Sequence, residues 1–420
     1  MRPNEAVATA LLPSPAKKRE IHVRPLTFTS LQGVRNAWII WAFVFIIIAS
    51  LVVMSSNRRT VTPIYRTTTI KWFAGEDIYG AGIHGYLYLP QACILFAPFE
   101  ELPFAVGEVL WRAFCIGILA AAVWRLSRFA GRGGGVDLFP LITLLVIPTA
   151  LGSARNGQMN LPLAAMMAFA CVDLGECRWS LAAFWLALGL ALKPLIFVML
   201  VFAAILYRPM RWRLALGILA VFAMPFLTQQ ASYVWTQYRL FLLKMQMAGN
   251  PGEMSHFSDI FGMARPLGIT APFAVQAVVR MIAAALTLAF CWLGLKRRGN
   301  EHGSLMFFTF NACYLLLFNP RTENMTYVVA GLPMAVFAAR ALLWDQRRAI
   351  AWLLIVLILV MSASYEITRG NNNWVCPGVC LVFLMYVIFL LLVNIQAPSV
   401  SYLPIRKSTE DPLSSRTDTL

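Results

Sequence analysis

Residues 178–213 read RWSLAAFWLALGLALKPLIFVMLVFAAILYRPMRWR, a long apolar run interrupted near its middle. It is apolar from Trp179 to Leu206 except at Lys193 and Pro194, and arginines flank it on both sides. A single crossing would place basic residues on both faces of a membrane, against the positive-inside rule. Proline removes a helix hydrogen bond, and a lysine at membrane depth needs a wet or paired site. We therefore predict two short helices folded as a hairpin, with Lys193 facing a polar cavity.

The whole chain has the composition of a membrane protein. Of its 420 residues, 59% are hydrophobic and 13% are charged, and the mean hydropathy is +0.68, whereas soluble domains carry about 25% charged residues. The formal net charge of +16 could indicate a nucleic-acid-binding protein, but the 35 Lys and Arg residues stand in short clusters between apolar runs. Such clusters are typical of topology signals, so we expect a lipid bilayer and no nucleic acid as partner.

Apolar runs recur along the chain, and basic clusters follow alternate runs. We predict an all-α polytopic membrane protein with roughly 11 to 12 transmembrane helices. The membrane domain is expected at residues 36–395, between a cytoplasmic N-terminal segment at 1–35 and a cytoplasmic tail at 396–420. Structured outer loops are expected at about 56–103 and 228–270.

One further segment is too short to cross a membrane. Residues Tyr86–Phe99 are apolar but carry Pro90 and Pro98. We predict a re-entrant or interfacial segment there, like the Lys193 hairpin.

The eight cysteines show no spacing typical of a metal site or a disulfide framework. Most of them lie in apolar runs, where cysteine commonly acts as a small apolar residue. We expect no metal and no cofactor.

Polar clusters that are not merely basic fall on the predicted outer side. One turn carries Arg155, Asn156, Gln158 and Asn160, whose charge and amide groups suit a sugar or a phosphate; helix capping is the alternative. Lys193 adds a cation that could contact a phosphate, with structural snorkelling as its alternative.

A second polar turn carries Arg321 and Glu323. A guanidinium can hold phosphate oxygens in a fork, although Arg321 could also anchor the chain at the membrane interface. Glu323 is either an active-site carboxylate or part of a connecting turn. The outer loops add three further candidates, Glu76, Asp77 and His256. Asp77 and Glu76 could supply a catalytic carboxylate and His256 could contact a phosphate; for each of them a solvated loop residue is the alternative.

Short motifs in a fixed order carry a resemblance to a known family. They are Gly75-Glu-Asp-Ile-Tyr79, Tyr88-Leu-Pro90, Ala97-Pro98, Leu102-Pro103, Gly157-Gln-Met-Asn160, Lys193-Pro194 and Asn319-Pro320. In this order, over the region from Trp38 to Ala339, the chain resembles glycosyltransferase family 87. These are polyprenol-phosphate-mannose-dependent transferases of the multi-spanning GT-C type.

The resemblance implies a GT-C-like helical bundle that transfers a hexose, commonly mannose. The donor would be a polyprenyl-phosphate-linked sugar, and a glycan or glycolipid acceptor would enter from the outer face of a bacterial inner membrane. A metal-independent, inverting reaction is also implied. Such a reaction needs a carboxylate to take the acceptor proton and cations to hold the leaving phosphate.

The chain departs from this family at one position. Members usually show an Asp shortly before the tyrosine that matches Tyr65, but residues 59–65 read RTVTPIY. The general base therefore stays open among Asp77, Glu76 and Glu323. Two other functions also stay open. A transporter or flippase of lipid-linked sugars would need an ionisable path through the membrane, and a non-catalytic homologue would need no base.

Overall fold

A computed structural model describes residues 31–55, 60–80, 85–132, 136–249, 257–368 and 374–393. These residues form α-helices joined by turns and short 3₁₀ segments, with no strand among them, which confirms the predicted all-α class for this part of the chain. The helices are α1 (Leu31–Met54), α2 (Thr62–Ala74), α3 (Pro90–Glu100), α4 (Phe104–Ala130), α5 (Phe139–Asn156), α6 (Asn160–Gly175), α7 (Trp179–Leu192), α8 (Phe197–Leu206), α9 (Arg211–Ala223), α10 (Ala231–Ala248), α11 (Ile260–Ala264), α12 (Phe273–Phe318), α13 (Val328–Leu343), α14 (Arg348–Ser362), α15 (Ser364–Thr368) and α16 (Val375–Leu392).

Helices α7 and α8 form the predicted hairpin. Lys193 ends α7 in an extended conformation (φ −151°, ψ 118°), and a 3₁₀ turn that begins at Pro194 leads into α8. The rings of Trp179 and Tyr207, at the two ends of this segment, lie 5.8 Å apart. The arginines that flank the segment therefore lie at the same end of the hairpin, as the charge pattern predicts.

Helix α12 also folds back on itself. Its backbone leaves the helical region at Gly299 (φ 69°, ψ −177°), a conformation that favours glycine. The rings of Phe290 and Phe310, on opposite sides of this turn, are 5.6 Å apart. The basic turn predicted after Leu295 is thus confirmed, and α12 consists of two antiparallel arms.

Several basic turns meet at one end of the bundle, which we call the basic end. Glu176 forms ion pairs with Arg132 and with Arg178, the latter at 2.9 Å. Asn300, in the turn of α12, donates a hydrogen bond from Nδ2 to the Leu174 carbonyl (2.6 Å). Clusters that are far apart in sequence therefore share one side, as expected if that side is the cytoplasmic face.

Asp173 is a fully buried carboxylate at the basic end, where it accepts hydrogen bonds from Arg125 and from Trp185 Nε1 (2.9 Å). We expect Asp173→Ala to lower the free energy of unfolding by about 1–3 kcal/mol, because Trp185 Nε1 loses its acceptor and Arg125 keeps only Glu176, at 3.8 Å. Thermal unfolding in detergent measures this effect. Glu301→Ala is the control, since this carboxylate is 44% exposed and lies 4.0 Å from Arg132; a cost as large in the control would contradict the argument.

The protein is a membrane protein by the length and composition of its helices. In the described residues, six helical segments are long and apolar enough to cross a bilayer: Gln32–Met54, Phe104–Ala130, Arg208–Leu227, Phe273–Phe318, Asn324–Leu343 and Val375–Leu392. Large apolar side chains such as Phe43 and Met281 point outward, where lipid replaces water. The number of crossings stays a prediction, and the predicted tails lie largely outside the described residues.

At the other end of the bundle the two predicted outer loops pack against each other. The hydroxyl of Tyr233 in α10 donates to the Glu76 carbonyl (2.6 Å), and Gln237 Nε2 donates to Asp77 Oδ1 (2.9 Å). Lys244 Nζ donates to the carbonyl oxygen of Gly80 (3.0 Å). These hydrogen bonds hold the first loop against α10. We call the end of the bundle where they lie the loop end.

Candidate active site at the loop end

A cavity of about 430 Å³ opens at the loop end. Its walls come from α2, from the C-terminal turn of α10, from the Lys193-Pro194 break and from the turn at residues 319–323. The polar side chains that line it are Tyr65, Tyr88, Gln158, Lys193, Asn319, Arg321 and Glu323. The motifs at Gln158, Lys193 and Asn319, which are separated in sequence, therefore meet around one space.

A hydrogen-bonded chain connects a cation to a carboxylate in this wall. Lys193 Nζ donates to Asn160 Oδ1 (2.5 Å), and Asn160 Nδ2 donates to Gln158 Oε1 (2.5 Å). Gln158 Nε2 then donates to Glu323 Oε2 (2.7 Å). Each amide oxygen accepts from the cation side and each amide nitrogen donates toward the carboxylate, so the chain has one direction. We call it the lysine–glutamate relay.

The position of Gln158 depends on the turn between α5 and α6. Gly157 ends α5 in the left-handed conformation (φ 72°), and a Cβ at this residue would lie 2.5 Å from Arg112 Cζ. The guanidinium of Arg112 is fully buried, pairs with Glu108 at 2.9 Å and donates to the Arg155 carbonyl (3.3 Å). The turn is therefore built directly on a buried ion pair.

This arrangement makes Gly157 sensitive to substitution. We expect Gly157→Ala to lower the free energy of unfolding by more than about 1–2 kcal/mol, because a left-handed alanine is strained and its methyl group must displace Arg112. Transfer activity should fall as well, since Gln158 would move. Gly152→Ala is the matched control in the same helix, where a Cβ meets Met325 at an ordinary 3.5 Å. Equal thermal stability of the two variants would contradict this account.

The turn at residues 319–323 is held against the second outer loop. Arg321 Nη1 donates to the Ala248 carbonyl (3.3 Å), and its guanidinium lies over the Phe257 ring at 4.8 Å. The Thr322 carbonyl accepts from the backbone nitrogen of Ser258 at 2.6 Å. These contacts keep a guanidinium on the cavity wall beside the carboxylate of the same turn.

Two tyrosines line the cavity together with the relay residues Gln158, Lys193 and Glu323. The hydroxyls of Tyr65 and Tyr88 are 3.0 Å apart. Burial raises the pKa of Tyr88 to about 12; the hydrogen bond with Tyr65 lowers it and the nearby charge of Glu323 raises it. Tyr88 therefore stays a neutral hydroxyl at physiological pH, able to donate to or accept from a sugar.

The structure separates the residues predicted in the Arg155 turn. Gln158 lines the cavity, and Asn160 is fully buried behind it within the relay. Arg155 instead donates to Ser55 Oγ (2.5 Å), and Asn156 Nδ2 donates to Met325 Sδ (3.3 Å). Neither Arg155 nor Asn156 is among the lining residues.

The carboxylate candidates are separated in the same way. Glu323 lines the cavity, whereas Glu76 and Asp77 are exposed beside α10 and do not line it. His256 lies outside the described residues. Among the residues that are described, no group of three His, Cys, Asp or Glu side chains could hold a metal ion.

Three of the polar lining residues, Tyr65, Tyr88 and Asn319, were not predicted as site residues. Tyr88 and Asn319 stand within the short motifs at residues 88–90 and 319–320, and Tyr65 was considered only as a marker of the missing Asp. The only indication in the sequence was that Tyr88 and Asn319 belong to short motifs, and these motifs come together only in the folded chain.

Comparison with known proteins connects this geometry to a family. Residues 86–320, more than half of the chain, match the model of glycosyltransferase family 87. The match contains Tyr88, Gln158, Lys193 and Asn319, and it ends one residue before Arg321. A search of curated proteins gives no match.

Proposed function

The chain belongs to glycosyltransferase family 87 and is a membrane glycosyltransferase, and we propose that it transfers a hexose, in its loop-end cavity, from a polyprenyl-phosphate donor to a glycan or glycolipid acceptor. Mannose is the first candidate sugar, and the outer face of the membrane is the proposed side of the reaction.

One observation carries the proposal: the cavity wall presents Lys193 and Arg321 together with the carboxylate of Glu323. Transfer from a lipid phosphate leaves negative charge on the phosphate oxygens as the glycosidic bond breaks, and fixed cations stabilise that charge most in the transition state. The acceptor hydroxyl must lose a proton in the same step, and a positioned carboxylate can take it. Both types of group face the same space.

We assign Glu323 as the general base because the other candidates lie elsewhere. Glu76 and Asp77 are not lining residues, and the stretch before Tyr65 contributes Val61 and Ile64 to the cavity. A carboxylate from the turn at residues 319–323 would thus act in a cavity to which the stretch without the Asp contributes these two apolar side chains.

The lysine–glutamate relay prepares Glu323 for this role. Gln158 Nε2 donates to Oε2 and so fixes the orientation of the carboxylate in the cavity wall. Oε1 accepts no hydrogen bond from the described residues and is free for the acceptor hydroxyl. In the proposed step the acceptor oxygen bonds to the anomeric carbon, its proton passes to Glu323 Oε1, and the departing polyprenyl phosphate keeps the bonding electrons beside Lys193 and Arg321.

The test is a transfer assay with the purified chain in lipid vesicles. Polyprenyl-phosphate mannose with a labelled sugar is supplied with a glycolipid acceptor, and labelled product is measured. Enzymatic transfer supports the proposal. Movement of intact donor across the vesicle wall without product would favour a flippase, and absence of both would favour a non-catalytic protein.

A further inference from the structure

A second cavity lies between α7 and α9, away from the candidate active site. Its volume is about 440 Å³, within the range of about 300–1,000 Å³ that is typical of small-molecule pockets. It extends from Ser180 in the first turn of α7 to Ala191 in the last. Because Lys193 follows the far end of α7, one end of this groove faces the loop end and the other faces the basic end.

Apart from Ser180 and Arg213 the lining of the groove is apolar, and small residues stand where the two helices face each other. Ala183 and Ala187 of α7 face Gly217 and Ala220 of α9 across it. A Cβ at Gly217 would lie 2.9 Å from the Cβ of Ala187, so the helices approach closely at the floor. Such a surface lacks the polar groups that a sugar or nucleotide would need, and at membrane depth a hydrocarbon chain is the available occupant.

The basic end of the groove carries a guanidinium. Arg213 lines the groove, donates from Nε to Ser180 Oγ (3.1 Å) and from Nη1 to the Pro209 carbonyl (2.6 Å), and lies over the ring of Trp212 at 4.3 Å. Arginine has five N–H donors, and in the described part of the chain Nη2 of Arg213 has no acceptor. Neither Arg213 nor the neighbouring Arg211 forms an ion pair with a described carboxylate. A fixed, unneutralised fork at the mouth of an apolar groove suits a phosphate.

We propose that the groove between α7 and α9 binds one anionic glycerophospholipid from the leaflet at the basic end, with an acyl chain along the small residues and the headgroup phosphate at Arg213. Trp212, 58% exposed, lies beside that headgroup, a typical place for an interfacial tryptophan. This site is separate from the proposed donor site, which lies at the opposite end of α7.

The experiment measures lipid binding and does not depend on transfer. The delipidated full chain in detergent is titrated with phosphatidylglycerol or with phosphatidylcholine of the same acyl chains, and bound lipid is counted by native mass spectrometry. We expect phosphatidylglycerol to bind about tenfold more tightly, because its net negative charge is not offset by a cationic choline. Arg213→Gln should remove this preference, whereas Arg211→Gln should keep it, since Arg211 does not line the groove.

A second pair of variants tests the acyl-chain part of the site. Ala220→Phe fills the groove from its exposed edge and should weaken both lipids by about tenfold or more, since apolar contact is lost. Leu219→Phe, one residue away and not in the lining, should change neither. Equal binding of the two lipids by the unmodified chain, or no effect of Ala220→Phe, would overturn the proposal. Displacement of phosphatidylglycerol by polyprenyl phosphate, with the same dependence on Arg213, would assign the groove to the donor instead.

Discussion

Replacing Glu323 with glutamine is expected to lower the rate of sugar transfer by about 10²- to 10⁴-fold, the range that a general base contributes. Glutamine has nearly the same shape, and its amide can still accept the hydrogen bond from Gln158, so the relay and the turn at residues 319–323 should survive. What is lost is a group that takes a proton from the acceptor hydroxyl. The measurement is single-turnover transfer in vesicles, with donor binding determined separately.

Asp77→Asn is the matched control for this prediction. Asp77 accepts a hydrogen bond from Gln237 at 2.9 Å, and asparagine can accept the same bond. Transfer should stay within about threefold of the unmodified chain, because a surface substitution outside the cavity removes no special interaction. If Glu323→Gln kept full activity while Asp77→Asn abolished it, the base would be in the first loop and the cavity assignment would be wrong.

The second large effect is expected from Lys193→Met, which should lower transfer by about 10²- to 10³-fold, as loss of one transition-state charge partner does in other enzymes. Methionine preserves length and removes the charge, so the leaving phosphate loses a cation next to it. Donor binding should weaken too, since the ground-state phosphate is already charged. Lys193→Arg should recover part of the activity, because it restores the charge with a different geometry.

Arg155→Gln serves as the control for the lysine. It removes a cation from the same polar region, but this side chain donates to Ser55 and does not line the cavity. We expect little change in transfer. If Arg155→Gln lost as much transfer activity as Lys193→Met, the overall positive charge of the loop end would explain both effects. A specific contact between Lys193 and the donor phosphate would then not be needed.

Some parts of the fold could be predicted because the membrane makes local violations expensive. Lys193 and Pro194 interrupt an apolar run, and each is costly inside a continuous transmembrane helix, so the hairpin of α7 and α8 was the arrangement that accommodated both. The turn of α12 followed from a cluster of basic residues in the same way. In both places a single short stretch of sequence was enough to predict the turn.

The site could be predicted only in part because it depends on contacts between distant segments. Asp77 and Glu323 both stand in polar turns, and nothing local distinguishes them; the packing of α10 against the first loop leaves Asp77 outside the cavity. Asn160 was predicted as a ligand of donor phosphate or sugar. Its carboxamide instead lies behind the cavity wall between Lys193 and Gln158, a role set by the close approach of α6 to the Lys193 break.

We propose that the loop-end cavity holds the phosphate of a polyprenyl-linked sugar against Lys193 and Arg321. Photolabelling tests this binding mode, with a polyprenyl-phosphate mannose that carries a diazirine on the isoprene unit next to the phosphate. We expect labelled peptides that contain residues 193–195, 245–249 or 319–321, and loss of that label in Lys193→Met. Label confined to other segments while transfer proceeds, or label unchanged in Lys193→Met, would contradict it.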